Sequence, residues 1–176
     1  MNLPTWVTVS RLLGVPVVLI LLLDPTPTHT WIAVGVFLIA AGTDWVDGYL
    51  ARRLDQVTEL GKFLDPLVDK LLVLAPLLAL IELGEVPAWG VFIILARELT
   101  IAGWRVNPAF QAQTVPGATI WGKAKTVIQI GAIAGLLAPL NPTWQPITQI
   151  LFWLAVIITS ISGVLYLLPQ ARPQQT

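Results

Sequence analysis

Six apolar stretches, each long enough to cross a lipid bilayer, constrain this chain of 176 residues more than any other feature. A membrane-spanning helix needs about 20 mostly apolar residues. Turns rich in Pro, Gly, Asn and Thr separate the stretches. The predicted spans are 6–23, 31–51, 62–81, 87–106, 121–139 and 146–168. We therefore predict one all-α integral membrane domain over residues 1–176, with six transmembrane helices.

The composition agrees with lipid as the solvent. The chain is 56% hydrophobic and 11% charged, whereas soluble domains usually carry about 25% charged residues. A net charge of zero gives no support to nucleic-acid binding. With no cysteine in the sequence, disulfides, thiolate metal sites and cysteine nucleophiles are excluded.

The positive charges predict the orientation in the membrane. With six spans, all ten Lys and Arg residues fall on, or nearest to, the side that carries both termini. The opposite loops contain Asp24, Glu82 and Glu85 but no Lys or Arg. Cytoplasmic loops of membrane proteins carry the excess of Lys and Arg. Both termini are therefore predicted to be cytoplasmic.

Four aspartates stand out near the cytoplasmic ends of the second and third spans. Asp44 and Asp47 close the second span, and Asp65 and Asp69 open the third. Residues spaced by three or four share a helix face. At about 1.5 Å per residue, all four lie within roughly 10–15 Å of the cytoplasmic helix ends. The short connection makes the two helices antiparallel neighbours, so the acidic faces can meet.

Such a cluster needs compensation. Each bare carboxylate in a membrane costs about 2.5–3.5 kcal/mol even on the lenient insertion scale, and protonation, pairing with cations or metal binding would relieve this. Oxygen ligands suit Mg²⁺, Mn²⁺ or Ca²⁺, and four carboxylates can support a two-metal site for phosphoryl displacement. The alternative for any single aspartate is a helix cap at the interface or a partner for an arginine.

A known pattern contains these acids. Residues 44–69 read D-x2-D-G-x2-A-R-x8-G-x3-D-x3-D, which resembles the signature of the CDP-alcohol phosphatidyltransferase family. The resemblance implies a six-helix membrane enzyme, often a homodimer, that binds a CDP-linked lipid with two divalent ions, usually Mg²⁺ or Mn²⁺. It implies that Asp44, Asp47 and Asp65 are metal ligands. It also implies that Asp69 is both a metal ligand and the general base.

The same resemblance implies a nucleotide site around the acids. Gly48, Ala51 and Gly61 lie on the acidic faces, and they would make room for the cytidine. Arg52 would contact the phosphate of the nucleotide. Thr58, in the predicted turn, is a candidate hydroxyl contact, with a plain loop threonine as the alternative.

Three further stretches resemble the branch of that family that forms phosphatidylglycerophosphate. They are Asn2–Pro4 through Arg11, Arg97–Glu98 through Arg105, and Gly122–Thr126 with Gln129. This resemblance implies CDP-diacylglycerol as the donor and glycerol 3-phosphate as the acceptor, at the cytoplasmic face of the cell (inner) membrane.

The positive charges near this face support a phosphorylated acceptor independently. A buried Arg97 needs an anion, and arginine suits bidentate phosphate contact. The predicted acceptor-phosphate site consists of Arg97, Arg105, Lys123 and Lys125. The alternative pairs Arg97 with Glu98 and makes the lysines ordinary anchors on the cytoplasmic side.

Other functions stay open at this point. The same chemistry with inositol phosphate or serine as the acceptor is the first alternative. A small ion or proton transporter is the second, since intramembrane acids are typical of transporters. The far halves of the helices, such as 36–40 and 72–81, carry no charge, which favours an enzyme at the interface. A scaffold without activity is the third alternative, and the intact signature argues against it.

Overall fold

The structure, a computed structural model, describes residues 3–54, 59–106 and 120–167, and within them the side chains of residues 8–43, 66–103 and 124–164. This part of the chain is helical, without strands. Its α-helices are α1 (Leu3–Leu22), α2 (Pro27–Leu54), α3 (Glu59–Glu82), α4 (Ala88–Val106), α5 (Ile120–Leu137) and α6 (Gln145–Leu167), with a 3₁₀ turn over Pro142–Trp144. Each helix coincides with one predicted span, and α2 starts four residues before its predicted span, at Pro27.

The helices pack in two groups that share α5. Helix α1 lies against α2 and α3, and α6 lies against α4 and α5. Helices α2 and α3 contact each other and both contact α5, while α3 also contacts α4. This arrangement places α3, α4 and α5 around a common space.

One end of the bundle, here called the tight-loop end, is made by the connections 23–26, 83–87 and 138–144 and the helix turns beside them. The apolar core lies there and further into the bundle, and its most buried large side chains are Phe37, Leu77, Leu80, Ile133 and Phe152. Helices α4 and α6 approach closely, because a Cβ added at Gly90 would lie 2.9 Å from the ring of Phe152. The tight-loop end is therefore closely packed.

The loop after α3 is closed by a regular hydrogen-bond pattern. Gly84, with φ of 75°, donates its backbone N–H to Ile81 at 3.0 Å, and Glu85 donates to Leu80 at 2.9 Å. These two bonds form a Schellman motif, which satisfies carbonyls that the helix end leaves without partners. The side chain of Gln149 on α6 donates to the carbonyl of Glu85 at 2.6 Å. The loop is thus tied to its neighbouring helix.

The outer surface is apolar over much of its extent. Large hydrophobic side chains point outward, among them Ile39 (70% exposed), Phe92 (66%) and Val127 (70%). An apolar surface of this extent is unusual for a soluble monomer. Among the described residues, the helical segment Pro142–Val164 is long and apolar enough to span a membrane. An 18-residue stretch of it has a mean hydropathy of 2.0, and 39% of that stretch is buried. Shorter apolar helical stretches are Thr8–Leu22, Pro27–Thr43 and Ala124–Leu137.

Candidate active site

The opposite end, here called the charged end, carries the ionisable residues that the helices hold inside the bundle: Arg11, Asp69, Lys70, Arg97, Glu98 and Lys125. The signature motif lies on two helices that contact each other, with Asp44 and Asp47 in the second half of α2 and Asp65 and Asp69 in the first half of α3. Of these four aspartates, Asp69 has a described side chain.

Several predicted site residues lie outside the described side chains. Thr58 lies outside the described residues altogether. The others belong to helices whose backbone is described: Asp44, Asp47, Gly48, Ala51 and Arg52 on α2, Gly61 and Asp65 on α3, Arg105 on α4 and Lys123 on α5. Their predicted roles remain predictions.

Asp69 is held by an arginine from another helix. Arg11 on α1 is 2% exposed, and its Nη1 donates to Oδ1 of Asp69 at 2.8 Å. The side chain of Asp69 is 43% exposed, so a ligand can reach the carboxylate while Arg11 binds it. A guanidinium buried to this extent requires an anionic partner. The Arg11–Asp69 pair therefore joins α1 to α3 and sets the orientation of the carboxylate.

Glu98 is the centre of a second charged group. Its Oε1 accepts hydrogen bonds from Nη1 of Arg97, at 3.1 Å, and from Nζ of Lys125. Nζ of Lys70 lies 4.0 Å from its Oε2. Three cations from α3, α4 and α5 thus surround one carboxylate and leave an excess of positive charge. An anionic ligand in this place would balance that excess with charge-assisted hydrogen bonds.

Arg97 also contacts α6. Its Nη2 donates to Oγ of Ser162 at 2.8 Å. A Cβ added at Gly163 would lie 2.9 Å from Cγ of Arg97, so the glycine gives this side chain its room. Arg97 therefore contacts Glu98, as in the alternative considered for it above, while it is also packed against α6.

A cavity of about 370 Å³ lies between α3, α4 and α5, with an edge at Ala41 of α2. This volume is within the usual range of small-molecule sites. Its polar wall consists of Asp69, Lys70, Glu98, Lys125, Thr126 and Gln129. The remaining wall is apolar and runs along α3 as far as Leu77. Asp69, Lys70 and Lys125 thus face the same space.

The donor atoms here fit a hard divalent cation. Asp69 offers carboxylate oxygen on the cavity wall, and the other three predicted ligands are also aspartates. Oxygen ligands are those that Mg²⁺ and Mn²⁺ prefer. Within the part of the chain that the structure describes, no group of three or more His, Cys, Asp or Glu residues lies close enough to hold a metal.

Sequence reasoning missed the partners of the predicted residues. It gave no role to Arg11, and it treated Glu98 only as a possible partner of Arg97. Both are ionisable residues inside predicted spans, which is itself a signal of function. Gln129 appeared only as part of a resembling stretch, although an amide at mid-span carries the same signal in weaker form.

Comparison with known proteins gives consistent matches. The model of the CDP-alcohol phosphatidyltransferase family matches residues 1–161. A CDP-diacylglycerol–glycerol-3-phosphate 3-phosphatidyltransferase of Bacillus subtilis is 39% identical, over 92% of this chain and 91% of that protein. Proteins of the same name from Haemophilus influenzae and Rickettsia bellii are 35% and 32% identical, each over 94% of this chain and over 91% and 93% of their own lengths.

Proposed function

The chain belongs to the CDP-alcohol phosphatidyltransferase family, and we propose that it transfers the phosphatidyl group of CDP-diacylglycerol to sn-glycerol 3-phosphate. The products are phosphatidylglycerophosphate and CMP. The observation that carries this proposal is a cavity whose wall contains Asp69 together with Glu98 and two of the cations beside it, Lys70 and Lys125. The names of the similar proteins give the same donor and acceptor.

The donor would bind at the signature motif. The family is generally dependent on divalent metal. Asp44, Asp47, Asp65 and Asp69 are the residues that would hold two ions, Mg²⁺ or Mn²⁺, which neutralise the diphosphate when bound. Gly48, Ala51 and Gly61 would leave room for the cytidine, and Arg52 and Thr58 would contact the nucleotide.

Asp69 would act on the acceptor as the general base. Its carboxylate, held by Arg11 at 2.8 Å and partly exposed to the cavity, accepts the proton of the 1-hydroxyl of glycerol 3-phosphate. That oxygen attacks the phosphorus attached to diacylglycerol, and CMP leaves with the electrons of the broken P–O bond. The protein contributes chiefly by positioning the reacting groups and by electrostatics, as is usual in phosphoryl transfer.

The acceptor phosphate would bind to Arg97, Arg105, Lys123 and Lys125. Of the two whose side chains the structure describes, Arg97 and Lys125, it is Lys125 that lines the cavity. Arg97 would contribute through Glu98, to which both it and Lys125 donate hydrogen bonds. Lys70 lies on the same wall and adds positive charge.

The membrane arrangement completes the proposal. The family is membrane-embedded. We propose six spans across the cell (inner) membrane with both termini in the cytoplasm, so that the charged end faces the cytoplasm. CDP-diacylglycerol would enter from the cytoplasmic leaflet and glycerol 3-phosphate from the cytosol. A homodimer is proposed by resemblance to the family.

Replacing Asp69 tests the proposed chemistry. In detergent with CDP-diacylglycerol, Mg²⁺ and glycerol 3-phosphate, the unmodified enzyme should release CMP and form phosphatidylglycerophosphate. Asp69→Asn should lower kcat by about 10²–10⁴, the usual contribution of a general base, and should retain binding of CDP-diacylglycerol. The matched control is Asp24→Asn in an exposed loop of the tight-loop end, which should leave kcat unchanged. Full activity of Asp69→Asn would refute the base assignment.

A further inference from the structure

Gln129 is a buried polar residue to which no step described so far assigns a role. It lies on α5, on the wall of the cavity, and is 3% exposed. Among the described residues, its Nε2 atom has no hydrogen-bond partner. Buried amide groups are almost always hydrogen-bonded, and leaving one without a partner is unfavourable. A buried amide on a cavity wall therefore indicates a ligand atom that it would meet.

The position of Gln129 along α5 relates it to the other polar residues of the cavity. It follows Lys125 by four residues, so the two lie on one helix face about 6 Å apart along the axis. Gln129 lies nine residues after the start of α5, and Asp69 lies ten residues after the start of α3. Since α3 and α5 contact each other, Gln129 lies near the level of Asp69. Lys125 lies closer than Gln129 to the start of α5, at the charged end of the bundle.

The positions of Lys125, Asp69 and Gln129 can be assigned to the three polar groups of glycerol 3-phosphate. Its phosphate suits the cations around Glu98, because charge-assisted hydrogen bonds favour a charged partner. Its attacking 1-hydroxyl belongs at Asp69. The 2-hydroxyl, which is neutral and lies between the two, remains for a neutral side chain. An amide can donate a hydrogen bond to a hydroxyl and accept one from it.

We infer that the side-chain amide of Gln129 binds the 2-hydroxyl of glycerol 3-phosphate and thereby helps to select this acceptor. The inference rests on the proposed function, which supplies the acceptor. It makes Gln129 a residue that determines specificity. A site built to hydrogen-bond a substrate hydroxyl discriminates against an analogue that lacks it, because the polar group of the site is then left unpaired.

The test compares two acceptors in two proteins. The probes are glycerol 3-phosphate and 3-hydroxypropyl phosphate, which keeps the phosphate and the attacking hydroxyl but lacks the 2-hydroxyl. In Gln129→Leu, kcat/KM for glycerol 3-phosphate should fall about fivefold to tenfold, the size of one neutral hydrogen bond. For 3-hydroxypropyl phosphate it should stay the same or rise. The KM for CDP-diacylglycerol should not change, and Tm should not fall.

A matched control removes a hydrogen-bonded amide from the other end of the bundle. The side chain of Gln149 donates to the carbonyl of Glu85 in the loop after α3. Gln149→Leu should lower Tm and leave the ratio of kcat/KM between the two acceptors unchanged. Gln129→Met, which keeps an unbranched side chain of similar length, repeats the comparison if Gln129→Leu is not recovered in folded form.

Two results would overturn the assignment. An equal loss of kcat/KM for both acceptors would mean that Gln129 does not bind the 2-hydroxyl. An unchanged ratio combined with a lower Tm would mean that Gln129 is a packing residue. Failure of the proposed function is recognised separately, because the unmodified enzyme would then not transfer the phosphatidyl group to glycerol 3-phosphate at all, and the role of Gln129 would fall with it.

Discussion

The two ends of the helix bundle differ in what holds them together. At the tight-loop end, apolar side chains such as Phe37 and Phe152 are fully buried, and α4 approaches α6 at Gly90. At the charged end, the helices are joined by the Arg11–Asp69 pair and by the cations around Glu98, and a cavity separates α3, α4 and α5. The helices thus pack through apolar side chains at one end and through charged contacts around a cavity at the other.

We expect the tight-loop end to determine stability and the charged end to determine substrate binding. Close packing supplies most of the association energy between helices in lipid, where there is no hydrophobic driving force between them. Buried ion pairs are weak contributors to stability, because their desolvation offsets the attraction. Substitutions at the tight-loop end should therefore change Tm without changing KM, and substitutions at the charged end should do the reverse.

The largest effect on stability is expected from Phe152→Ala. Phe152 is 1% exposed and packs near Gly90 and Trp153. Loss of its ring should lower the free energy of unfolding by about 3–5 kcal/mol, as for other buried phenylalanines. Thermal unfolding in detergent measures this, and the KM values of both substrates in the folded fraction should stay constant. A KM for glycerol 3-phosphate that rises while Tm is unchanged would contradict the separation of the two ends.

At the charged end, neutralising Lys125 should have the largest effect on acceptor binding. Lys125→Gln removes one cation from the cavity wall but keeps a polar side chain. The KM for glycerol 3-phosphate should rise about tenfold to hundredfold, the range for one hydrogen bond to a charged group. Steady-state kinetics with each substrate varied in turn measures this. Equal increases in the KM of CDP-diacylglycerol and of glycerol 3-phosphate would refute the acceptor-site proposal.

A smaller effect is expected from a single methyl group beside Arg97. Gly163→Ala would place Cβ 2.9 Å from Cγ of Arg97, so the arginine must move relative to Ser162 and Glu98. We expect a loss of a few fold in kcat/KM for glycerol 3-phosphate, within the usual cost of one hydrogen bond. Gly131→Ala is the matched control, because a Cβ there meets nothing within 4 Å. Identical kinetics for the two variants would mean that Arg97 does not contribute to binding of the acceptor.

The sequence predicted the helices well but not how they are rotated. Apolar length and turn residues are local properties, so all six helices lie where the predicted spans lie. The contact between Arg11 and Asp69 joins residues 58 positions apart, and it depends on which faces of α1 and α3 meet. For the same reason, the sequence could not predict that Arg97 contacts Ser162 on α6.

The sequence singles out the four aspartates of the candidate site, but it does not show which residues contact them or the nearby charges. The spacing of the four aspartates follows helix periodicity, which a sequence displays directly. Glu98 gains its importance from three cations on three helices, and the significance of Gln129 depends on its Nε2 atom having no hydrogen-bond partner among the described residues. Both facts arise from packing between helices that are distant in sequence.

The most direct test of the central claim is the identity of the acceptor. Purified enzyme with CDP-diacylglycerol and Mg²⁺ is offered glycerol 3-phosphate, inositol phosphate or serine in separate reactions, and CMP release and the lipid product are both measured. The account predicts CMP release with glycerol 3-phosphate, matched mole for mole by phosphatidylglycerophosphate, and little with the other two. Faster release with inositol phosphate or serine, or no release with glycerol 3-phosphate, would contradict it.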